Sequence, residues 1–177
     1  PRMSTLMSSG WIWEKTPDGT SRFVLGEVGN NPLICFGINP STAVPGDLDP
    51  TVTRVRARAA TKGHDGWTMC NVYPQISTDP KKVHRAFDPA LKDANERHIA
   101  EHVGGRPLTI LAAWGTLVMS RPYLRQLAHD IASMPELKHC SWVSLGDLTK
   151  DGHPRHPLYV SGDAPFVPFD IVAYSAA

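Results

Sequence analysis

The run Leu33-Ile34-Cys35-Phe36-Gly37-Ile38 is apolar or glycine at every position and stops at Asn39-Pro40-Ser41-Thr42. A strand with one wet face alternates apolar and polar residues, whereas an unbroken apolar run has both faces covered. Such strands belong to parallel sheets packed between helices. The chain must therefore supply helices between its strands, and the turn at Asn39 falls at a strand's carboxyl end. Ligands of open α/β sheets collect beyond those ends.

The rest of the sequence follows that demand. Trp11-Ile12-Trp13 and Arg22-Phe23-Val24-Leu25 flank Thr16-Pro17-Asp18-Gly19-Thr20, which predicts an N-terminal hairpin over 11–25. Residues 1–10 are expected to be a loose terminus. After the 33–38 strand, Asp49-Pro50 suits the N-cap and first position of a helix running to about Lys62 and stopping at Gly63. Val52, Val55 and Ala59 give that helix an inner stripe. Trp67 to Tyr73 reads as a second strand. Asp88-Pro89 opens a helix over 90–103, ended by Gly104-Gly105. Leu108 to Ala113 is a third strand, 121–133 a third helix, and Ser141 to Leu145 a fourth strand. The tail, 147–177, reads as loop with short elements. The expectation is one α/β domain over 1–177, with a central, mainly parallel sheet of four strands plus the hairpin.

Composition sets few further limits. At 177 residues, with 41% hydrophobic and 20% charged residues, the chain can bury an ordinary core. A formal net charge of +1 provides no global field for nucleic acid, so any such contact needs a local patch. The three cysteines, Cys35, Cys70 and Cys140, are odd in number and widely spaced. They argue for a reducing compartment and exclude a four-cysteine metal site. No signal peptide and no apolar run near ~20 residues is seen, so a cytoplasmic protein without membrane contact is expected.

The strand ends read Gly37-Ile38-Asn39-Pro40-Ser41-Thr42, Asn71-Val72-Tyr73-Pro74, Trp114-Gly115 and Gly146-Asp147-Leu148-Thr149. Together they make a polar pocket. Asn39 can hold a water or a base edge through its two-sided amide, or simply cap its own turn. Ser41 and Thr42 can touch a phosphate or cap a helix. Trp114 can stack on a base or close the core, and Asp49 can serve as an acid or as an N-cap. His153-Pro154-Arg155-His156-Pro157 admits a metal reading through its two histidines. The prolines break the helical spacing that reading needs. A histidine in so rigid a loop can instead donate to a developing anion. Arg54, Arg56, Arg58 and Lys62, with Lys150 and Arg155, form either a phosphate-facing patch or a solvated helix face.

These segments carry two resemblances. From Leu33 to Pro168 the chain resembles the bacterial domain-of-unknown-function family 1643. The matching segments are Asn39-Pro40-Ser41-Thr42-Ala43, Asp49-Pro50-Thr51, Asn71-Val72-Tyr73, Thr78-Asp79-Pro80, Ala113-Trp114-Gly115 and Gly152-His153-Pro154-Arg155-His156-Pro157-Leu158-Tyr159. More distantly it is similar to the uracil-DNA glycosylase superfamily, mismatch-specific type. Ile34-Cys35-Phe36-Gly37-Ile38-Asn39-Pro40 resembles the first motif, and His156-Pro157-Leu158 the second, His-Pro-Ser-Pro. Ala113-Trp114-Gly115 resembles a Leu-Trp-Gly strand end of that superfamily.

The second resemblance implies a three-layer α/β/α sandwich, with Asn39 positioning water and His156 supporting the departing base. It also implies that Asn71 reads a base edge. Leu158 stands where the motif has Ser, and Ser41 where it has Gly. The segment 43–51 has no counterpart and is expected to roof the pocket.

The function expected is that of an enzyme acting on a nucleobase, nucleotide or DNA, most simply by hydrolysing an N-glycosidic bond, without a cofactor or metal. Asn39 and His156 are the catalytic pair. Gly37, Pro40, Ser41, Thr42, Asp49, Asn71, Tyr73, Trp114, Gly115, His153, Arg155 and Pro157 line the substrate, and Arg54, Arg58 and Lys150 face phosphate. Leu158, Tyr159 and Phe166 are wedge candidates if a base is flipped from duplex DNA. Two alternatives stand: a non-catalytic nucleotide or nucleic-acid binder, and a metal-assisted hydrolase using His153 and His156.

Overall fold

The described residues build one mixed sheet of eight strands. They are β1 (Thr5–Leu6), β2 (Trp11–Lys15), β3 (Arg22–Glu27), β4 (Pro32–Gly37), β5 (Gly66–Asn71), β6 (Thr109–Ala112), β7 (Ser141–Leu145) and β8 (Phe166–Pro168). The four main helices are α1 (Pro50–Thr61), α2 (Pro89–Val103), α3 (Leu124–Ala132) and α4 (Ile171–Ala176). The structure is a computed structural model and describes residues 5, 6 and 9–176. The expectation for residues 1–10 lies largely outside those described.

Across the sheet the order is β1-β2-β3-β5-β4-β6-β7-β8. β4 pairs in parallel with β5 and β6, and β6 with β7. All six residues of β4 are buried, as an unbroken apolar run requires. α1 covers one face, where Val52, Val55 and Ala59 meet Leu33, Cys35, Met69 and Leu111. α2, α3 and α4 contribute Ile99, Leu127 and Tyr174 to the core on the other face. Each fully buried aliphatic or aromatic side chain there contributes about 1.5–3 kcal/mol.

Local chemistry accounts for the helix starts. Asp49 caps α1 by accepting from Val52 N at 2.8 Å, and Asp88 caps α2 by accepting from Ala90 N at 2.9 Å. Pro50 and Pro89 follow them, where a missing N–H costs nothing. The hairpin turn is tied by Asp18, which accepts from Thr16 Oγ1 at 2.8 Å and Thr20 N at 3.0 Å.

Three expectations need correcting. The sheet is wider than four strands. The hairpin is part of it, since β3 runs antiparallel to β5 with Leu25 opposite Met69. The tail adds β8 antiparallel to β7. The third helix begins at Leu124 rather than 121, because Arg121 precedes a proline and is held extended, at φ −144°. Residues 115–120 form 3-10 turns instead.

Candidate functional site

The carboxyl ends of β4, β5 and β6 open on one side, and the segment 149–159 folds over them. Between them lies a cleft of about 480 Å³, the size of a small-molecule site. Asn39, Ser41, Asp49, Asn71, Trp114, Gly115, Arg155 and His156 all line it, with Gly37 and Pro40.

Asn39 is oriented by the backbone. Its Nδ2 donates to Ser77 O at 3.0 Å, Pro40 O at 3.2 Å and Gln75 O at 3.3 Å. Three carbonyls around one end fix which end of the amide is the donor. Oδ1 is left as an acceptor with no partner among the described residues.

His156 is oriented in the opposite sense. Its Nδ1 accepts from Leu158 N at 3.2 Å, capping the short turn Pro157–Tyr159. An acceptor at Nδ1 places the proton of the neutral ring on Nε2, which then is a donor. Burial pushes the imidazole below its ordinary 6.5, and the Asp49 carboxylate opposes that shift. The ring is therefore neutral at pH 7.

Gly115 lets these walls meet. Its φ is +58°, and its N–H donates to Pro154 O at 2.8 Å. A Cβ there would fall 3.2 Å from His156 Cβ. Opposite, Asp49 is committed twice, accepting from Val52 N and from Ser41 Oγ. Arg155 is held by Nε donating to Asp147 O at 2.9 Å.

Other expected site residues lie elsewhere. Tyr73 is fully buried, and its hydroxyl meets His84 Nδ1 at 2.6 Å and accepts from Asp88 N at 2.8 Å. It is a core post and offers no stacking face. Trp114 touches the cleft but is 1% exposed, and its Nε1 donates to Tyr174 OH at 3.0 Å. His153 is buried, with Nδ1 2.8 Å from the same hydroxyl. It faces the Trp114–Tyr174 core while His156 faces the cleft, so the two rings do not converge. Among the described residues no group of three or more His, Cys, Asp or Glu is placed to hold a metal ion.

Thr42 borders a neighbouring hollow with Trp13 and Lys15. Pro157 is buried beside Arg54 and Arg58, outside the cleft. Arg58 is a structural clasp: it is 5% exposed and donates to Ala164 O at 2.6 Å and to Ser161 O. Neither Arg54 nor Lys150 lines the cleft, so the expected phosphate patch is not assembled there. Phe166 packs against the α1-side core.

Two cleft residues escaped the sequence reading in these roles. Tyr159, 80% exposed at the rim with its ring 5.6 Å from that of His156, is the available stacking surface. Arg22 opens β3 and reaches the cleft from the hairpin. A cation heading an apolar strand was the one visible signal for it.

Among the described residues no helix is long and apolar enough to cross a membrane. No curated protein and no solved structure matches the chain. The model of the family described as Protein of unknown function (DUF1643) matches residues 22–158, and the chain belongs to that family.

Proposed function

We propose that the cleft hydrolyses an N-glycosidic bond in a nucleobase-bearing substrate, on a three-layer scaffold of the uracil-DNA-glycosylase type with the four parallel strands at its centre. One observation carries this reading. The cleft walls hold an acceptor, Asn39 Oδ1, and a donor, His156 Nε2, each oriented by backbone and neither with a partner among the described residues. That is what the reaction requires. Asn39 Oδ1 accepts a hydrogen bond from a water and aims its lone pair at the sugar carbon. The C–N bond breaks and its electron pair leaves with the base. His156 Nε2–H donates to the base oxygen that gathers the negative charge. Water oxygen bonds to the sugar carbon, and its proton ends on the base. A neutral histidine suits a donor that must not surrender its proton. Tyr159 supplies a face for the base at the rim.

The direct test is release of uracil, hypoxanthine and other modified bases from single- and double-stranded DNA, nucleosides and nucleotides. Asn39→Ala and His156→Ala are each expected to lower the rate on the order of 10²-fold or more. Folded protein that releases no base from any member of the panel would sink the hydrolytic reading.

A second reading, a non-catalytic nucleotide binder, has its own support. Asp49 is the one carboxylate among the described residues lining the cleft, and both its oxygens are engaged. No free general base then faces a water. This reading expects nucleotides to raise the melting temperature without being consumed.

A further inference from the structure

Beyond Asn39 and His156, the cleft is lined by two buried side chains, Arg22 and Asn71, that each keep an unmet donor among the described residues. Arg22 is 3% exposed and lines the cleft. A guanidinium carries five N–H donors in a planar fork. Among the described residues only Nη1 of Arg22 has an acceptor, Ala43 O at 3.1 Å. Nε is buried with none. Asn71, 1% exposed in the same cleft, has a buried Nδ2 that also lacks an acceptor. Its Oδ1 lies so close to Gly37 that a Cβ there would come within 3.0 Å. Buried donors without partners are rare in native proteins, because each loses water and gains nothing in return.

The charge is as poorly served as the hydrogen bonds. Burial pulls the Arg22 pKa down to about 10, with the Asp49 carboxylate opposing this, so the group is a cation at neutral pH. Among the described residues it forms no ion pair. Asp49 acts on it only across space, its oxygens being held by Val52 N and Ser41 Oγ. A buried cation without a contact partner is a place prepared for an anion.

We infer that Arg22, together with Asn71, forms an oxyanion subsite that receives a carboxylate or phosphate group of the ligand occupying this cleft. A neutral carbonyl edge would satisfy donors but leave the charge uncompensated. An oxyanion does both, and the guanidinium fork matches carboxylate and phosphate oxygens in pairs. The inference rests on reading the cleft as a nucleobase-ligand site, and it narrows the ligand to one carrying its own negative group.

Calorimetric and thermal-shift titrations of matched pairs test it. Uracil against orotate adds a ring carboxylate. Uridine, cytidine, adenosine and guanosine against their 5′-monophosphates add a phosphate. In at least one pair the anionic member is expected to bind about tenfold tighter. The preference should vanish in Arg22→Met, which keeps length and removes the fork. Which pair discriminates tells carboxylate from phosphate.

Arg22→Met removes an uncompensated buried charge and should melt no lower than the parent. If it fails to fold, Arg22→Lys, which keeps the charge and loses the planar fork, should still weaken the preference. Equal affinity within every pair, binding by no compound, or a preference unchanged in a folded variant overturns the inference. Anion-selective binding without base release would keep this subsite and remove the hydrolytic reading. Base release from neutral nucleosides at a rate indifferent to Arg22 would do the reverse.

Discussion

Gly115 packs directly against His156: a side chain at 115 would place its Cβ 3.2 Å from His156 Cβ, while Gly115 N–H holds Pro154 O at 2.8 Å. The end of β6 and the loop carrying the histidine are therefore registered on each other, backbone to backbone. The position of His156 Nε2 in the cleft depends on that registration.

Gly115→Ala is expected to destabilise the protein by more than the roughly 1–2 kcal/mol that a left-handed non-glycine residue costs. Gly46→Ala is the control, since Gly46 also has a positive φ, +79°, but open space around its Cβ position. Thermal unfolding should show the larger loss at 115, and ligand binding should suffer there alone. Equal losses would mean that the His156 loop yields freely.

The aromatic side chains of the site should separate by role. Tyr159→Ala, at an exposed rim position, should change stability by no more than about 0.5 kcal/mol. It should weaken binding of a nucleobase ligand about tenfold, within the range of base–aromatic stacking. Trp114→Phe should do the opposite, because it breaks the 3.0 Å hydrogen bond to Tyr174 OH in the core. Its stability loss should be about 1–3 kcal/mol. Parallel melting and titration curves decide the matter.

Asp49 both caps α1 and holds Ser41. Asp49→Ala should cost about 0.5–2 kcal/mol for the lost cap. Asp49→Asn, which still accepts from Val52 N, should cost less. Chemical denaturation of the two variants measures the difference.

Acid should weaken the fold through His156 and His153. Burial lowers both pKa values in the folded state, with Arg125 adding to the effect at His153. The unfolded chain then binds protons first. This contribution to stability is present above pH 6.5, the ordinary histidine value. It is lost as the pH falls from there through the lower folded-state values. The melting temperature of His156→Gln should fall less steeply than that of the parent below pH 6.5. Parallel slopes would show that His156 titrates freely.

Much of the architecture was legible because its causes are local. The Asp-Pro pairs at 49–50 and 88–89 cap their helices with atoms two or three residues away. The unbroken run at 33–38 declared a strand covered on both faces. The candidate site was legible in part for a related reason. Asn39, Asn71, Trp114 and His156 stand at strand ends or in the Pro-flanked loop, and parallel strands bring such ends to one edge. What misled was the direction of individual side chains. Tyr73 and His153 turn into the core, and Arg58 turns from the solvated face of α1 to hold the carbonyls of 161 and 164.

By itself, then, the sequence determined the elements, their caps and the edge of the sheet at which polar residues gather. Hydrogen-bond capping and hydrophobic periodicity act over a few residues and can be read directly. Only the tertiary structure decided that the hairpin joins the sheet beside β5, with Leu25 opposite Met69. That pairing joins segments more than forty positions apart. It brings Arg22 to the cleft and leaves its Nε buried without an acceptor among the described residues. Which donors stay unmet depends on every neighbour at once, and no local pattern records that sum.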